Sequence, residues 1–535
     1  MTALIERIGK AYDELPYISA AFAQTAAEHL RTVAHLFGLS AAAPQRARIL
    51  ELGCAAGGNI IPYAVRYPEA VVLGVDLSGV QVGAGQRAIR AMGLRNIHLQ
   101  QGSIADLDAL LGDPSQNPAG TDQFDYIICH GVYSWVPQDI REAILRVSRE
   151  RLAPDGIAYI SYNVYPGWKA KEIVRDAMLL RGGNRPTSAE QLAYARGMIN
   201  FLHDMAQPGS VLKKIMDENI HLIRHGEAHY LNHEFLELCN SPCYFKDFMA
   251  AAKQQGLSYL AESGIATMFA SNYDARAAEP LLRECQGSQE VLEQLLDFLT
   301  NRTFRQTLLV HAQRAEQIQY GLRHERIAAL HIAGHYTAKP DAPGHWRTEQ
   351  GSSITAGTPV AHQVIETLNA AWPSTVPVRD LIRQASGGSA PENTAGEVLA
   401  FVEILIIGDA LQCRLEPVSA AHHATAYPQV NASLRQLAQL PGPVPLSLFN
   451  AWHQIVRPGA VVEWLLPYVD GKHDLAALTE IVRAGAERGA LTFLRGDRAL
   501  QDPAEIATAA AEHTLGALQW LTDNAMIELP AEGNA

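Results

Sequence analysis

Between residues 45 and 165 the chain alternates apolar runs with segments that are apolar on one face only. "RILEL", "VVLGVD", "NIHLQQG", "FDYIICH" and "GIAYISYN" read as strands, with "NIIPYAVRY", "SGVQVGAGQRAIRAMG" and "QDIREAILRVSRERL" as the helices between them. Continuously apolar strands are covered on both faces. The βαβ alternation therefore predicts an α/β, doubly wound sheet with its ligand at the carboxyl ends of the strands. Pro62 falls in a first helical turn, and Gly93 and Gly156 sit just past helical runs as C-terminal caps. Further along, "FKDFMAAAKQQGLSYLAES" (245–263) reads as helix then strand and "TFRQTLLVHA" (303–312) as another strand. These complete a seven-stranded, Rossmann-like sheet. Helical residues 183–243 then form an insertion, entered through "GGNRPTS" and left through "NSPC".

Beyond a boundary near 320 the pattern changes. Residues 359–416 read helix, "VPVRDLI", a Gly/Ser/Pro-rich loop, the helix "TAGEVLAFVEILIIG" and the strand "ALQCRLE". After "LPGPVP" a similar order recurs, ending in "PAEIATAAAEHTLGALQWLTDN" and "AMIELP", the mark of a diverged duplication of a small α+β, winged-helix-like unit. The expected domains are 1–320, 321–425 and 426–535.

Charge narrows the partners. The 535 residues carry a formal net charge of -13, which argues against nucleic acid and for a small molecule or a neutral or basic protein. Residues 360–416 hold three Lys/Arg against seven Asp/Glu and 459–530 hold five against eleven, so neither winged unit offers a basic recognition helix; protein interaction or dimer assembly is expected. The six cysteines show no disulfide framework, the first residues lack the apolar block of a signal peptide, and no stretch reaches the length of a membrane span. A cytoplasmic protein without membrane insertion is expected.

The glycine turn "ELGCAAGGN" (51–59) fits two ligands. Counted as Gly53, Ala55 and Gly58 it approximates the phosphate turn of dinucleotide enzymes; counted as Gly53, Gly57 and Gly58 it suits another nucleoside. Asp76 ends the second strand, where a carboxylate accepts ribose hydroxyls. "GSIADL" (102–107) follows the third strand, and "LAPDGIAYISYN" (152–163) reads as the end of a helix, a Pro/Gly turn and a strand.

In that order these residues resemble the class I S-adenosylmethionine-dependent methyltransferases. Their pattern runs E-x-G-x-x-x-G (Glu51 to Gly57), a second-strand acid (Asp76), G-(S/D)-(I/A)-x-D-L (Gly102 to Leu107), F-D-x-I (Phe124 to Ile127) and L-x-P-x-G (Leu152 to Gly156). Ala55 stands where a glycine is common, tolerable because no pyrophosphate presses on the backbone. The resemblance implies Gly53 and Gly57 at the methionine portion, Asp76 at the ribose, and Ile104 and Asp106 at the adenine. Glu51, Ala55, Asn59, Leu77, Gln81, Gly102, Ser103, His130 and Tyr17 are also expected at the cofactor.

Longer strings, "AYDELPYISAAF", "CHGVYSWVP", "SYNVYPGWK", "YLNHEFLE" and "NRTFRQTLL", are similar to bacterial methyltransferases with a methyltransferase regulatory domain. Among these are rickettsial-type enzymes that modify lysines of surface proteins and are built with a dimerisation insertion. That resemblance implies a protein-lysine acceptor and a homodimer through the insertion. The alternatives are a small-molecule methyltransferase and a catalytically silent cofactor-binding protein.

Methyl transfer requires alignment of an electron pair and exclusion of water, and a lysine must arrive neutral. Tyr133, Trp135, Tyr162, Tyr165 and Trp168 are expected to wall an acceptor channel by packing and cation-π contact, with His130 and Asn163 as hydrogen-bonding groups. Tyr12 and Tyr17 are expected on a segment over the cofactor. His221, His225, His229 and His233 recur every four residues, a metal-compatible spacing, but Gly226 interrupts the helix and no metal is expected.

Overall fold

The computed structural model describes residues 2–14, 18–112, 119–385, 392–423, 425–440, 446–496 and 498–529. Its centre is a seven-stranded sheet of β1 (Arg48–Leu52), β2 (Val71–Asp76), β3 (Ile97–Gln101), β4 (Phe124–Cys129), β5 (Leu152–Asn163), β6 (Leu257–Glu262) and β7 (Phe304–His311). The order is β3-β2-β1-β4-β5-β7-β6, with β7 antiparallel to both neighbours. Helices Ile61–Arg66, Gly79–Ala91 and Gln138–Glu150 connect the parallel strands. The seven-stranded expectation holds, including the two late strands. The order reverses direction between β1 and β4, which opens a crevice at their carboxyl ends.

Local chemistry explains the boundaries. Pro62 lies in the first turn of its helix, and Gly93 ends the next helix at φ 67°. Gly156 does not cap anything. Residues 152–163 form one long strand, and pairing with β4 slips between Phe124–Leu152 and Tyr126–Ile157, so the expected Pro/Gly turn is a bulge inside β5.

The antiparallel edge is cross-linked by Arg305. Its guanidinium, fully buried, pairs with Glu262 of β6 (2.7 Å) and with Asp297 (2.8 Å) and Glu293 (3.1 Å) of helix Gln289–Thr300. Breaking such a set leaves unpaired charge in the core and costs about 3–5 kcal/mol.

After β5 comes a helical block of Trp168–Gly182, Ser188–Met205, Val211–His225 and Ala228–Leu231. It starts at Trp168, not at 183, because Val174 and Met178 of its first helix pack with Leu192, Ile199, Met216 and Phe235 into a core separate from the sheet's. Beyond the sheet, a unit with helices Pro359–Ala371, Val378–Ala385 and Glu392–Ile407 is followed by a second with Ala460–Leu465, Leu475–Glu487 and Pro503–Asp523. Both place three helices in the predicted order. No helix among the described residues is long and apolar enough to cross a membrane.

Candidate active site

A cavity of about 540 Å³ lies at the carboxyl ends of β1, β2, β4 and β5. Its floor is the turn after β1. Gly53 and Gly57 have φ of 78° and 81°, and Ala55 between them has φ of 50°. Ala55 is thus more than a tolerated departure, because an L-residue pays about 1 kcal/mol for this left-handed conformation and a glycine would not. The Ala55 amide is fixed by donating to Asp76 Oδ2 at 2.7 Å, while Ser78 N donates to Oδ1 at 2.8 Å. Each carboxylate oxygen keeps acceptor capacity for a further donor. Burial raises the Asp76 pKa against these two backbone donors.

Glu51 stands beside this turn, 3% exposed. Asn59 Nδ2 donates to its Oε1 at 2.8 Å, while its Oε2 is buried without a hydrogen-bond partner. Burial, reinforced by the charge of Asp76, pushes its carboxyl up to about 8. A buried carboxyl oxygen left without a partner at a cavity wall marks a place for a ligand group.

The turn is closed from above by the N-terminal segment. Gly58 N donates to Ser19 Oγ at 2.8 Å, and a side chain at Gly58 would fall on the Ser19 carbonyl. Asn59 Oδ1 accepts from Phe22 N (3.0 Å) and Thr25 Oγ1 (2.9 Å). The last unit of the chain completes this closure. Ser19 bridges Leu446, Ser447 N donates to Ser19 O at 3.0 Å, and Arg66 donates to the Ala451 carbonyl. His453, buried and with its pKa lowered to about 4 by desolvation, is neutral; its Nε2 lies 3.2 Å from Asn59 Oδ1 and donates to it.

On the opposite side, helix Thr2–Glu14 brings Ile8 and Tyr12 to the cavity. Its Asp13 accepts from Ser78 Oγ at 2.5 Å, and Tyr12 stacks on His233 of the helical block at 5.4 Å. Tyr17 lies outside the described residues.

Beyond β4 and β5 the walls become aromatic. Trp135 and Trp168 meet edge to face at 6.1 Å, and Trp168 is 1% exposed. His130 is enclosed by Phe22, Tyr159 and Phe304; Tyr159 Oη (2.9 Å) and Ser161 Oγ (3.3 Å) converge on its Nδ1. Burial lowers its pKa to about 4, so it is neutral at pH 7. Asn163 is held by Asn240 through its amide and by Ser134 Oγ through its backbone N-H.

Of the expected residues, Glu51, Gly53, Ala55, Asn59, Asp76, Leu77, Gln81, Gly102, Ser103, Ile104, His130, Trp135, Asn163 and Trp168 line the cavity. Gly57, Asp106 and Tyr133 do not. The space beside Gly57 is filled by Leu99 and Ile61, so it shapes the turn from the core side. Asp106 is exposed in a short 3-10 turn after Ser103. Tyr133 packs edge-on against Phe248, on which Tyr162 stacks, so both tyrosines support the site from below; Tyr165 bonds to Glu172 away from it. The strings "YISAAF" and "YLNHEFLE" held further lining residues, Ser19, Phe22, Tyr230 and Glu234, without any local signal of their role; Lys171 is another.

The histidine series is divided by the fold. His221 and His225 share one helix, His229 lies on the next, and His233 pairs with Glu237. No group of three or more His, Cys, Asp or Glu residues in a metal-binding arrangement occurs among the described residues.

Family models match three segments: a methyltransferase domain (50–158), a predicted methyltransferase regulatory domain (227–311) and a PKMT C-terminal winged helix domain (427–526). The regulatory-domain segment contributes β6 and β7, so it completes the catalytic sheet. The chain is 30% identical over 517 residues to the Rickettsia prowazekii protein RP789, covering 92% of this chain and 89% of that protein. It is 35% identical over 259 residues to RP028 of the same organism, covering 48% of this chain and 100% of that protein. The structure of PKMT2 from Rickettsia typhi in complex with AdoHcy superposes with a TM-score of 0.82 at 26% identity, covering 96% of this chain and 100% of that one. The chain therefore belongs to the S-adenosylmethionine-dependent methyltransferases that combine a Rossmann-like core, a methyltransferase regulatory domain and a PKMT-type winged helix, and S-adenosylmethionine is its cofactor.

Proposed function

We propose that the methyl acceptor is a lysine of a protein, reached through the aromatic end of the cavity. The observation that carries this reading is the corner of Trp135 and Trp168, which lines the same cavity as Glu51 of β1 and Asp76 of β2. Similarity to PKMT2 over nearly the whole chain supports it, as does a net charge of -13, which favours a basic partner.

S-adenosylmethionine supplies a methyl group on a sulfonium centre, open to in-line displacement by an electron pair. The chain's own residues bind, orient and exclude water. Glu51, with its unpaired buried oxygen, fits the amino group of the methionine portion. Asp76 holds the ribose hydroxyls with the capacity its backbone donors leave, and Leu77 and Ile104 wall the adenine. The Ser19–Phe22 segment keeps water from the turn. At the other end the tryptophan faces attract a cation, and desolvation lowers an amine's pKa so that it loses its proton before attack. His130 remains neutral and adds no competing charge.

The helical block is proposed as a dimerisation element, supported by exposed Leu180, Phe201, Met205 and Val211. Six unpaired cysteines support a reducing, cytoplasmic setting.

The test is incubation of the purified chain with methyl-labelled cofactor and, separately, the protein and metabolite fractions of its own cell. Label on lysines of the protein fraction, located by mass spectrometry, is expected. Label confined to metabolites would replace this reading with a small-molecule methyltransferase, and no label despite cofactor binding would indicate a silent protein.

A further inference from the structure

Two charged residues of the helical block, Lys171 and Glu234, line the same cavity as the cofactor turn. Lys171 Nζ lies 2.9 Å from Glu234 Oε1 and 5.1 Å from the centroid of the Trp168 ring. Both side chains are mostly buried, at 24% and 17% exposed. Glu234 sits in a single turn of π-helix, Asn232–Leu236, a geometry often found at functional sites. That turn is fixed from two sides. Arg175, one helical turn beyond Lys171, donates to the carbonyls of Phe235 (2.7 Å) and Glu237 (2.5 Å), while His233 is held between Glu237 and Tyr12.

A carboxylate and an indole face around one ammonium is the chemistry that binds a lysine side chain, and here the bound lysine is the chain's own. We infer that Glu234 and Trp168 form the seat that receives the ammonium of the acceptor lysine, and that Lys171 fills this seat until an acceptor displaces it. This rests on the lysine reading above. A mostly buried carboxylate without a cation is costly, so an internal lysine keeps Glu234 paired in the free enzyme. The flexible stem of Lys171 lets its ammonium leave for solvent when another replaces it. The acceptor is thus recognised charged at Glu234, and its proton passes to solvent water before the free amine meets the methyl group. Glu234 is therefore a specificity residue that governs KM more than kcat.

The test uses the full chain with two probes, poly-L-lysine as methyl acceptor and n-butylammonium as a side-chain mimic. Glu234→Gln is expected to raise the KM for poly-L-lysine about tenfold with little change in kcat, and Lys171→Ala to lower it. In calorimetry n-butylammonium is expected to bind Lys171→Ala and not the Lys171→Ala/Glu234→Gln double variant. S-adenosylhomocysteine affinity, measured in each variant, establishes that the cofactor end is intact. An unchanged KM in Glu234→Gln with intact cofactor binding overturns the inference, as does equal n-butylammonium binding to the single and double variants. A wild-type chain that binds S-adenosylhomocysteine yet methylates no poly-L-lysine overturns the lysine reading instead, and the n-butylammonium comparison still decides whether the seat exists.

Discussion

At the cofactor end of the cavity, the groups come from short turns that follow strands, and each is fixed by backbone geometry: a left-handed residue, an amide on a carboxylate, an amide on a hydroxyl. At the acceptor end, Trp168, Lys171, Tyr230 and Glu234 come from a helical block with a core of its own, and side-chain pairs set their positions. The first end is rigid in the sense that one extra methyl group disrupts it. Under the inference above, the second exchanges one cation for another through side chains alone.

The comparison is broken or sharpened most strongly at Gly58. Gly58→Ala must displace the Ser19 carbonyl, and S-adenosylhomocysteine affinity by calorimetry is expected to fall by about a hundredfold, on the order of 3 kcal/mol. An affinity within a few-fold of wild type would show the cofactor end to be as adaptable as the other.

Next is the pH dependence of Glu51. Its folded pKa of about 8 lies above the ordinary glutamate value of 4.5, so the folded chain without cofactor binds the extra proton and loses stability as pH rises between these values. A cofactor cation favours the ionised form. S-adenosylhomocysteine affinity is therefore expected to rise between pH 6 and 8, by up to about tenfold per unit, and to become flat in Glu51→Gln.

Trp135→Ala probes the other end. Methyl transfer to poly-L-lysine is expected to fall about tenfold in kcat/KM, with S-adenosylhomocysteine affinity unchanged. Equal losses in both measurements would merge the two ends into one unit.

The smallest effect is at Ala55. Ala55→Gly relieves a φ of 50°, and urea unfolding is expected to show a gain of about 0.5–1 kcal/mol.

The same division decides what could be read in the sequence. Glu51, Gly53 and Asp76 were legible because each lies at or just past the end of a strand whose apolar run announces it, and the distance between them is set by one βαβ unit. Asp106 belongs to the same motif, yet its side chain falls on the exposed side of a 3-10 turn, whose tighter winding a linear pattern does not reveal. Tyr133 and Tyr162 were named from aromatic content, but residues near a strand end divide between the cavity and the layer beneath it, and these two took the lower layer. Lys171 and Glu234 stand 63 positions apart, one on the helix Trp168–Gly182 and the other on the π-helical turn Asn232–Leu236, and neither segment carries a pattern that marks a site. Only the folding of that block brings them together. Gly156 illustrates the reverse, a strong punctuation signal absorbed as a bulge by a strand already committed to its neighbours.

The contacts of Ser19 with Leu446 and of His453 with Asn59 join two units of the chain over one turn. After each turnover the spent cofactor must leave a turn roofed by a segment that the last unit of the chain holds down. The turn is therefore built jointly by the sheet, the Ser19–Phe22 segment and the winged helix, so a change in the last unit reaches the cofactor end through these two contacts.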